Sequence, residues 1–122
     1  MVAQARDIAD RASGAVIVEP VEGADPAALL SALSAVRAKR PASAILLLSA
    51  DEAGGKVAIA ADVPKELQAK GLKAGDWVRA AAEACGGKGG GRPDFAQAGG
   101  KDPSRAPEAL RIARAFAAGR VD

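Results

Sequence analysis

The first half of the chain divides into segments whose apolar residues are spaced as in helices or as in strands. Residues 2–12 repeat apolar side chains at the helical period, and residues 15–19 form a β-branched run that favours a strand. Asp25 offers an N-cap to a helix predicted over residues 26–40. Residues 43–49 are continuously apolar, as in a strand buried on both faces. The pattern therefore predicts a strand–helix–strand unit after a short helix.

The second half predicts a hairpin, two capped helices and a glycine-rich stretch between them. Its strands are expected over residues 56–62 and 95–98, and a turn at Gly54-Gly55 precedes the first of them. Its helices are expected over residues 64–70 and 77–85 and from Asp102 to Gly119, with Asp76 as the N-cap of the second helix. Taken together, the two halves predict an α/β fold with a mixed β-sheet of about four strands flanked by helices.

A chain of 122 residues has the usual size of a single domain. The expected organisation is a helical stub of a preceding linker over residues 1–13, followed by one globular domain over residues 14–122. The stub corresponds to the helical pattern at the N-terminus, and the globular domain contains every other predicted element.

Composition narrows the chemistry that this domain can perform. Apolar types make up 49% of the residues, and only Trp77, Phe95 and Phe116 are aromatic, which argues against broad base-stacking platforms. The chain has no histidine, the commonest general base and transition-metal ligand. Cys85 is the single cysteine, which fits a reducing, cytoplasmic setting, and we expect it to be a small buried residue. No catalytic residue, metal ligand or cofactor is predicted, and no apolar run is long enough to span a membrane.

Positive charge and glycine concentrate toward the C-terminus. Residues 1–87 carry ten Lys and Arg against eleven Asp and Glu, whereas residues 88–122 carry seven against four. The stretch GGKGGGRP at 86–93 is either a flexible linker or a loop that approaches a ligand closely. Its place between two helices favours a loop whose bare amides form an anion-binding nest beside Lys88 and Arg92. It matches neither the P-loop nor the Rossmann pattern.

The longer segment GGKGGGRPDFAQAGGKD, at 86–102, closely resembles the signature of the C-terminal (C-Ala, DHH-associated) domain of alanyl-tRNA synthetases. The resemblance extends back through 71–91 and, with the order of the earlier elements, covers the chain from about residue 14. It implies a DHH-associated-domain-like fold and a module that docks on the outer corner, or elbow, of tRNA and couples aminoacylation with editing. Residues 2–12 would then be a remnant of a preceding dimerisation helix.

The partners that this resemblance implies are tRNA, with alanine tRNA as the expected species, and the catalytic and editing domains of the synthetase. A homodimer is a further expectation, and a membrane partner is not expected. The predicted tRNA contacts are the glycine-rich stretch and the polar side chains around it: Gly87, Lys88, Gly89, Gly90, Gly91, Arg92, Gln97, Lys101 and Arg105. Lys101 and Arg105 flank the start of the terminal helix, where amides favour anions. Gln97 suits either a base or ribose edge or a hydrogen bond within the sheet.

Two other functions stay open at this point. The first is a free-standing or structural domain, including a dimerisation module, without catalytic activity. The second is the substrate-binding domain of a DHH-type phosphodiesterase. In those enzymes a histidine follows the glycine loop, and Arg92 occupies that place here, which weakens the second alternative.

Overall fold

A computed structural model describes residues 16–21, 23, 25–39 and 41–121, apart from the side chain of Val121. The helix predicted over residues 2–12 and the proposed boundary after residue 13 lie outside these residues. The strands are β1 (Val16–Pro20), β2 (Ala44–Asp51), β3 (Lys56–Asp62), β4 (Lys88–Gly91) and β5 (Phe95–Gly100). The helices are α1 (Pro26–Lys39), α2 (Lys65–Gln68), α3 (Ala74–Ala84) and α4 (Ala106–Val121), with a 3₁₀ turn over Pro103–Arg105.

The strands form one mixed sheet in the order β1-β2-β3-β5-β4. β1 and β2 are parallel and are joined through α1, because parallel neighbours need a long connection. All the other neighbouring strands are antiparallel. The predicted α/β class and the mixed sheet flanked by helices are confirmed, but the sheet has five strands instead of about four.

The strand that the sequence did not predict is β4, which is formed by the glycine-rich stretch itself. Glycine is depleted in strands, so the pattern contained no strand signal there. The stretch nevertheless becomes a strand because the Pro93-Asp94 turn folds it back onto β5, and the N–H of Arg92 donates to the carbonyl of Phe95 at 3.0 Å. The expected loop is therefore wrong for residues 88–91.

The predicted start of α1 is confirmed, whereas the predicted end of α4 is wrong. Asp25 caps α1 as predicted, since its carboxylate accepts the N–H of Ala28 at 2.8 Å. Gly119 does not end α4, which continues to Val121. A glycine ends a helix by adopting a positive φ, and Gly119 does not adopt one.

The start of α3 was also predicted wrongly. The helix begins at Ala74, ahead of residue 77, so Asp76 lies in its first turn instead of capping it. The early start is stabilised from outside the helix, because the amides of Ala74 and Gly75 donate to the carbonyls of Pro93 and Arg92. The β4–β5 turn thus performs the capping that the sequence assigned to an aspartate.

One face of the sheet is covered by α3 and α4 together. α3 packs on β3, β4 and β5, and α4 packs on α3, β1 and β2. Trp77 is fully buried there, as expected of a core residue, and its indole N–H donates to the carbonyl of Ala113 at 2.8 Å. Cys85 is buried in the same cluster, as predicted, and burial raises the pKa of its thiol.

The opposite face is covered by α1 only over part of its width. α1 packs on β2 and β3, where Leu29, Leu33 and Val36 meet Ile45 and Leu47. No helix of the described chain packs over β5 and β4 on this side. We call this side of β5 and β4, together with the start of β3 that α1 leaves exposed, the open face.

Candidate nucleic-acid interface

A groove of about 1520 Å³ runs over the open face beside the N-terminal end of α1. Ala58 and Gly99 contribute small residues to its floor, and Pro26 lies at the side formed by α1, where Leu29 and Ala60 are buried. Small residues beyond the edge of α1 leave a recess instead of a filled core. The fold therefore provides a concave surface that an extended ligand can enter.

Strand register brings three of the predicted contacts to this groove. Lys88 pairs with Gly99 across the β4–β5 ladder, and Gln97 pairs with Gly90. Side chains separated by two residues lie on the same face of a strand, so Lys88 and Gln97 both project from the open face. Lys101 follows the end of β5 and lines the same groove. Two amines and one carboxamide are thus gathered from neighbouring strands.

The glycines of β4 have a packing explanation. A Cβ on Gly89 would lie 2.2 Å from the Cβ of Ala98, and a Cβ on Gly91 would lie 2.8 Å from that of Ala96. Both distances are shorter than side-chain carbons tolerate, so β4 can approach β5 this closely only as glycine. Gly89 and Gly91 are therefore required for sheet packing, whether or not a ligand binds, whereas a Cβ on Gly90 would meet no other atom within 4 Å.

The anion-binding nest proposed for this stretch is not formed. The amide of Gly86 donates to the carbonyl of Glu83 at 3.3 Å, and that of Gly87 donates to Ala82 at 2.8 Å. The amide of Arg92 is bound in the β4–β5 turn, and alternate amides of β4 face β5 in the ladder. A nest needs successive amides that converge on a free ligand, so this interpretation is wrong. Any anion at this face must be bound mainly by side chains.

The cations of the described residues differ in whether a carboxylate neutralises them. Five arginines are paired with carboxylates: Arg37 with Asp62, Arg79 with Asp76, Arg92 with Asp94, Arg111 with Glu108, and Arg114 with Glu19. Lys56, Lys88 and Lys101 form no ion pair within the part of the chain that the structure describes. All three line the groove. Lys65, Lys73 and Arg105 likewise form no ion pair in the described ranges but lie away from the groove, so the groove gathers three of the cations that no carboxylate neutralises.

The remaining predicted contacts take different positions. Arg92 pairs across the turn with Phe95 on the open face, but its guanidinium lies 3.4 Å from the carboxylate of Asp94. Arg105 lies in the 3₁₀ turn before α4 and does not line the groove. The predicted contacts that do line it are Gly87, Lys88, Gln97 and Lys101, while Gly89, Gly90 and Gly91 form the strand behind Lys88.

Lys56 is a groove residue that the sequence did not identify. It is the first residue of β3 and shares a face with Ala58 by strand alternation. That alternation is visible in the sequence, but the coverage of each face depends on where α1 packs, which is a tertiary property. Alternation along the strand places Lys56 and Ala58 on one face, but it does not show that Lys88 lies on the same face of the sheet.

A buried carboxylate lies near the other end of the open face. Asp62 pairs in register with Phe95, and its carboxylate lies 3.1 Å from the guanidinium of Arg37 on α1. Burial raises the pKa of Asp62, an effect that Arg37 opposes and the negative charge of Asp94 reinforces. This ion pair joins α1 to β3 and uses one arginine that could otherwise contact a ligand.

Neither a metal centre nor a membrane span is found in the described ranges. No group of three or more His, Cys, Asp and Glu residues is placed there to hold a metal ion. None of the helices in those ranges combines the length and apolar character needed to cross a bilayer. The polar side chains that line the groove include lysine amines, the Gln97 carboxamide, the Ser49 hydroxyl and the carboxylates of its rim.

The family model of the DHHA1 domain matches residues 13–119 of the chain. The alanine–tRNA ligase of Rhodopirellula baltica is 46% identical over 99 residues, covering 81% of this chain and 10% of that protein. The alanine–tRNA ligase of Aromatoleum aromaticum is 42% identical over 121 residues, covering 99% of this chain and 13% of that protein. The chain thus spans about a tenth of the length of these curated relatives.

Two solved structures have the same fold. The C-Ala domain of the alanyl-tRNA synthetase from Aquifex aeolicus superimposes with a TM-score of 0.70 at 29% identity, covering 82% of this chain and 87% of that chain. RecJ from Thermus thermophilus, in complex with Mg²⁺, gives a TM-score of 0.65 at 18% identity, covering 96% of this chain and 17% of that chain. The second likeness concerns the fold alone.

Proposed function

The chain belongs to the DHHA1 domain family, and because it is similar to the C-Ala domain of alanyl-tRNA synthetase we propose that it binds tRNA through the open face. The single observation that carries the proposal is the groove in which lysines without ion pairs in the described ranges, Lys88 and Lys101, flank Gln97. Amines without protein partners at a concave surface suit a phosphodiester backbone, since phosphate contacts supply most of the affinity of nucleic-acid binding.

In this proposal the chain acts as part of an alanine–tRNA ligase of the cytoplasm. It docks on the outer corner, or elbow, of alanine tRNA and couples aminoacylation with editing by keeping both centres on one tRNA. The catalytic and editing domains of the synthetase are its protein partners, and the module performs no chemistry itself. Recognition at this surface is by shape and phosphate, because side chains read the sequence of RNA duplexes poorly.

The proposal is tested by measuring the affinity of the chain for unfractionated tRNA over a series of salt concentrations. We expect affinity to fall steeply with salt, because each phosphate contact releases bound counterions. Lys88→Ala and Lys101→Ala should each weaken binding about three- to ten-fold and leave the unfolding midpoint nearly unchanged.

The matched control is Lys65→Ala, which removes an exposed lysine of α2 that does not line the groove. This variant should bind as the unmodified chain does. Absence of tRNA binding at low salt would reject the proposal. Equal losses for the control and the two groove variants would place the binding surface elsewhere on the domain.

A further inference from the structure

We infer that Lys56 is a third phosphate-binding residue, which completes with Lys88 and Lys101 a cluster of lysines from three adjacent strands. This inference rests on the proposed function and deepens it. Neither the glycine-rich signature nor the terminal helix contains Lys56, which begins β3 at the far side of the groove.

The register of the sheet fixes the arrangement of the cluster. Val57 pairs with Gly100, so Lys56 lies beside Lys101, which follows β5. Lys88 lies across β5 from β3, in the row that contains Gly99. Neighbouring strands are about 4.8 Å apart, so all three lysines start from one small area at the same end of the sheet.

The charges around the cluster limit where a polyanion can lie. Asp51 is the cross-strand neighbour of Lys56, but its carboxylate accepts the N–H of Gly54 at 2.9 Å and forms no ion pair with Lys56. Glu52 and Asp25 line the rim on the same side. These three carboxylates repel phosphate from the β2–β3 hairpin and the start of α1. A phosphodiester backbone is therefore directed across the lysines toward β5 and β4.

The floor allows the backbone to approach. Ala58 and Gly99 lie under the cluster and present at most a methyl group. Long lysine side chains around a shallow floor place their ammonium groups beside a ligand instead of beneath it. Lys56 lies on the side of this arrangement that Lys88 and Lys101 leave open. Replacing Lys56 by alanine should therefore reduce tRNA affinity about as much as replacing Lys88 or Lys101.

The test compares Lys56→Ala with Lys88→Ala and with the control Lys65→Ala in binding to unfractionated tRNA at several salt concentrations. We expect Lys56→Ala to weaken binding about three- to ten-fold and to reduce the slope of log affinity against log salt by about 0.7 to 0.9. Lys56→Arg retains the charge and should preserve both the affinity and the slope. The unfolding midpoint should stay unchanged, since Lys56 is exposed.

The outcomes separate this inference from the proposed function. If Lys56→Ala behaves as Lys65→Ala does while Lys88→Ala weakens binding, the role of Lys56 is rejected and tRNA binding stands. If Lys56→Arg loses as much affinity as Lys56→Ala, the residue does not act through its charge, and the inference also fails. If the unmodified chain does not bind tRNA at low salt, both are rejected.

Discussion

The two faces of the sheet use small residues for opposite purposes. On the face covered by α3 and α4, Gly89 and Gly91 are small because Ala98 and Ala96 of β5 occupy the space that a Cβ would need. On the open face, Gly99 is small although no helix of the described chain packs over β5 there, and Ala58 beside it lies at the margin of the cluster formed by α1. A small residue therefore indicates tight packing on one face and an unfilled recess on the other. Only the three-dimensional structure distinguishes the two.

Charged side chains also serve two different purposes around the sheet. Arg37 and Arg114 bind carboxylates that hold α1 and α4 to the strands beneath them. The lysines of the groove have no such partners in the described ranges. The charges that hold helices to strands are thus distinct from the groove lysines, and substitutions at the packed residues should have different consequences from substitutions at the groove.

The largest effect is expected from Trp77→Ala on the packed face. Removing this fully buried side chain leaves a cavity and should lower the free energy of unfolding by about 3–5 kcal/mol. Urea unfolding monitored by circular dichroism measures the change. Trp77→Phe should cost less, although it removes the indole hydrogen bond to the carbonyl of Ala113. If both variants lower the free energy of unfolding by less than an ordinary surface substitution does, α3 and α4 do not form the core described.

A smaller effect on stability is expected from alanine substitutions at two glycines of adjacent strands, Gly89 and Gly99. Gly89→Ala places a Cβ against Ala98 and should cost about 1–3 kcal/mol of stability, which Ala98→Gly should partly restore in the double variant. In Gly99→Ala the new Cβ lies 3.4 Å from the carbonyl oxygen of Val57, so stability should change by about 0.5 kcal/mol or less.

The same variants can be compared in tRNA binding. Gly99→Ala fills part of the floor and should weaken binding while the fold is intact. Gly89→Ala should affect binding only through the fraction unfolded. Equal stability losses for the two glycines would contradict the distinction between a packed and an open face.

The smallest effect concerns the pH dependence of stability at Asp62. Its pKa in the folded chain is raised above the ordinary 3.8, so the folded state holds its proton more tightly than the unfolded state does. The contribution of Asp62 to stability is therefore fully present below that value and declines as pH rises through the folded pKa. Asp62→Asn does not titrate and should show a shallower decline between pH 4 and neutrality when urea unfolding is measured across this range. A steeper decline in the variant would contradict the sign.

The sequence predicted the elements whose signals are local. The cap at Asp25 and the alternation of strand and helix in residues 16–62 depend on neighbouring residues, and the structure has them. β4 could not be predicted in this way, because its stability comes from pairing with β5. The start of α3 likewise depends on the carbonyls of a turn that follows it in sequence.

The residues of the candidate site could likewise be predicted only where they lie close together in sequence. Lys88, Gln97 and Lys101 lie close together in sequence, and the motif brought them to attention as a group. Lys56 is distant in the chain and reaches them only through the pairing of β3 with β5. The mistaken nest has a related cause, since the motif shows where amides are bare but not which carbonyls they already bind.

The position of β5 between β3 and β4 has a consequence for synthesis of the chain. β3 is an interior strand in the finished sheet, but its partner β5 is translated only after α3 and β4. While the chain emerges from the ribosome, the backbone of β3 on that side has no partner, and Val57, Ile59 and Ala61 await the helices that cover them. During this interval the nascent domain presents an unpaired apolar edge, the kind that recruits strands from other chains. Folding is therefore most vulnerable before residue 100 has left the exit tunnel.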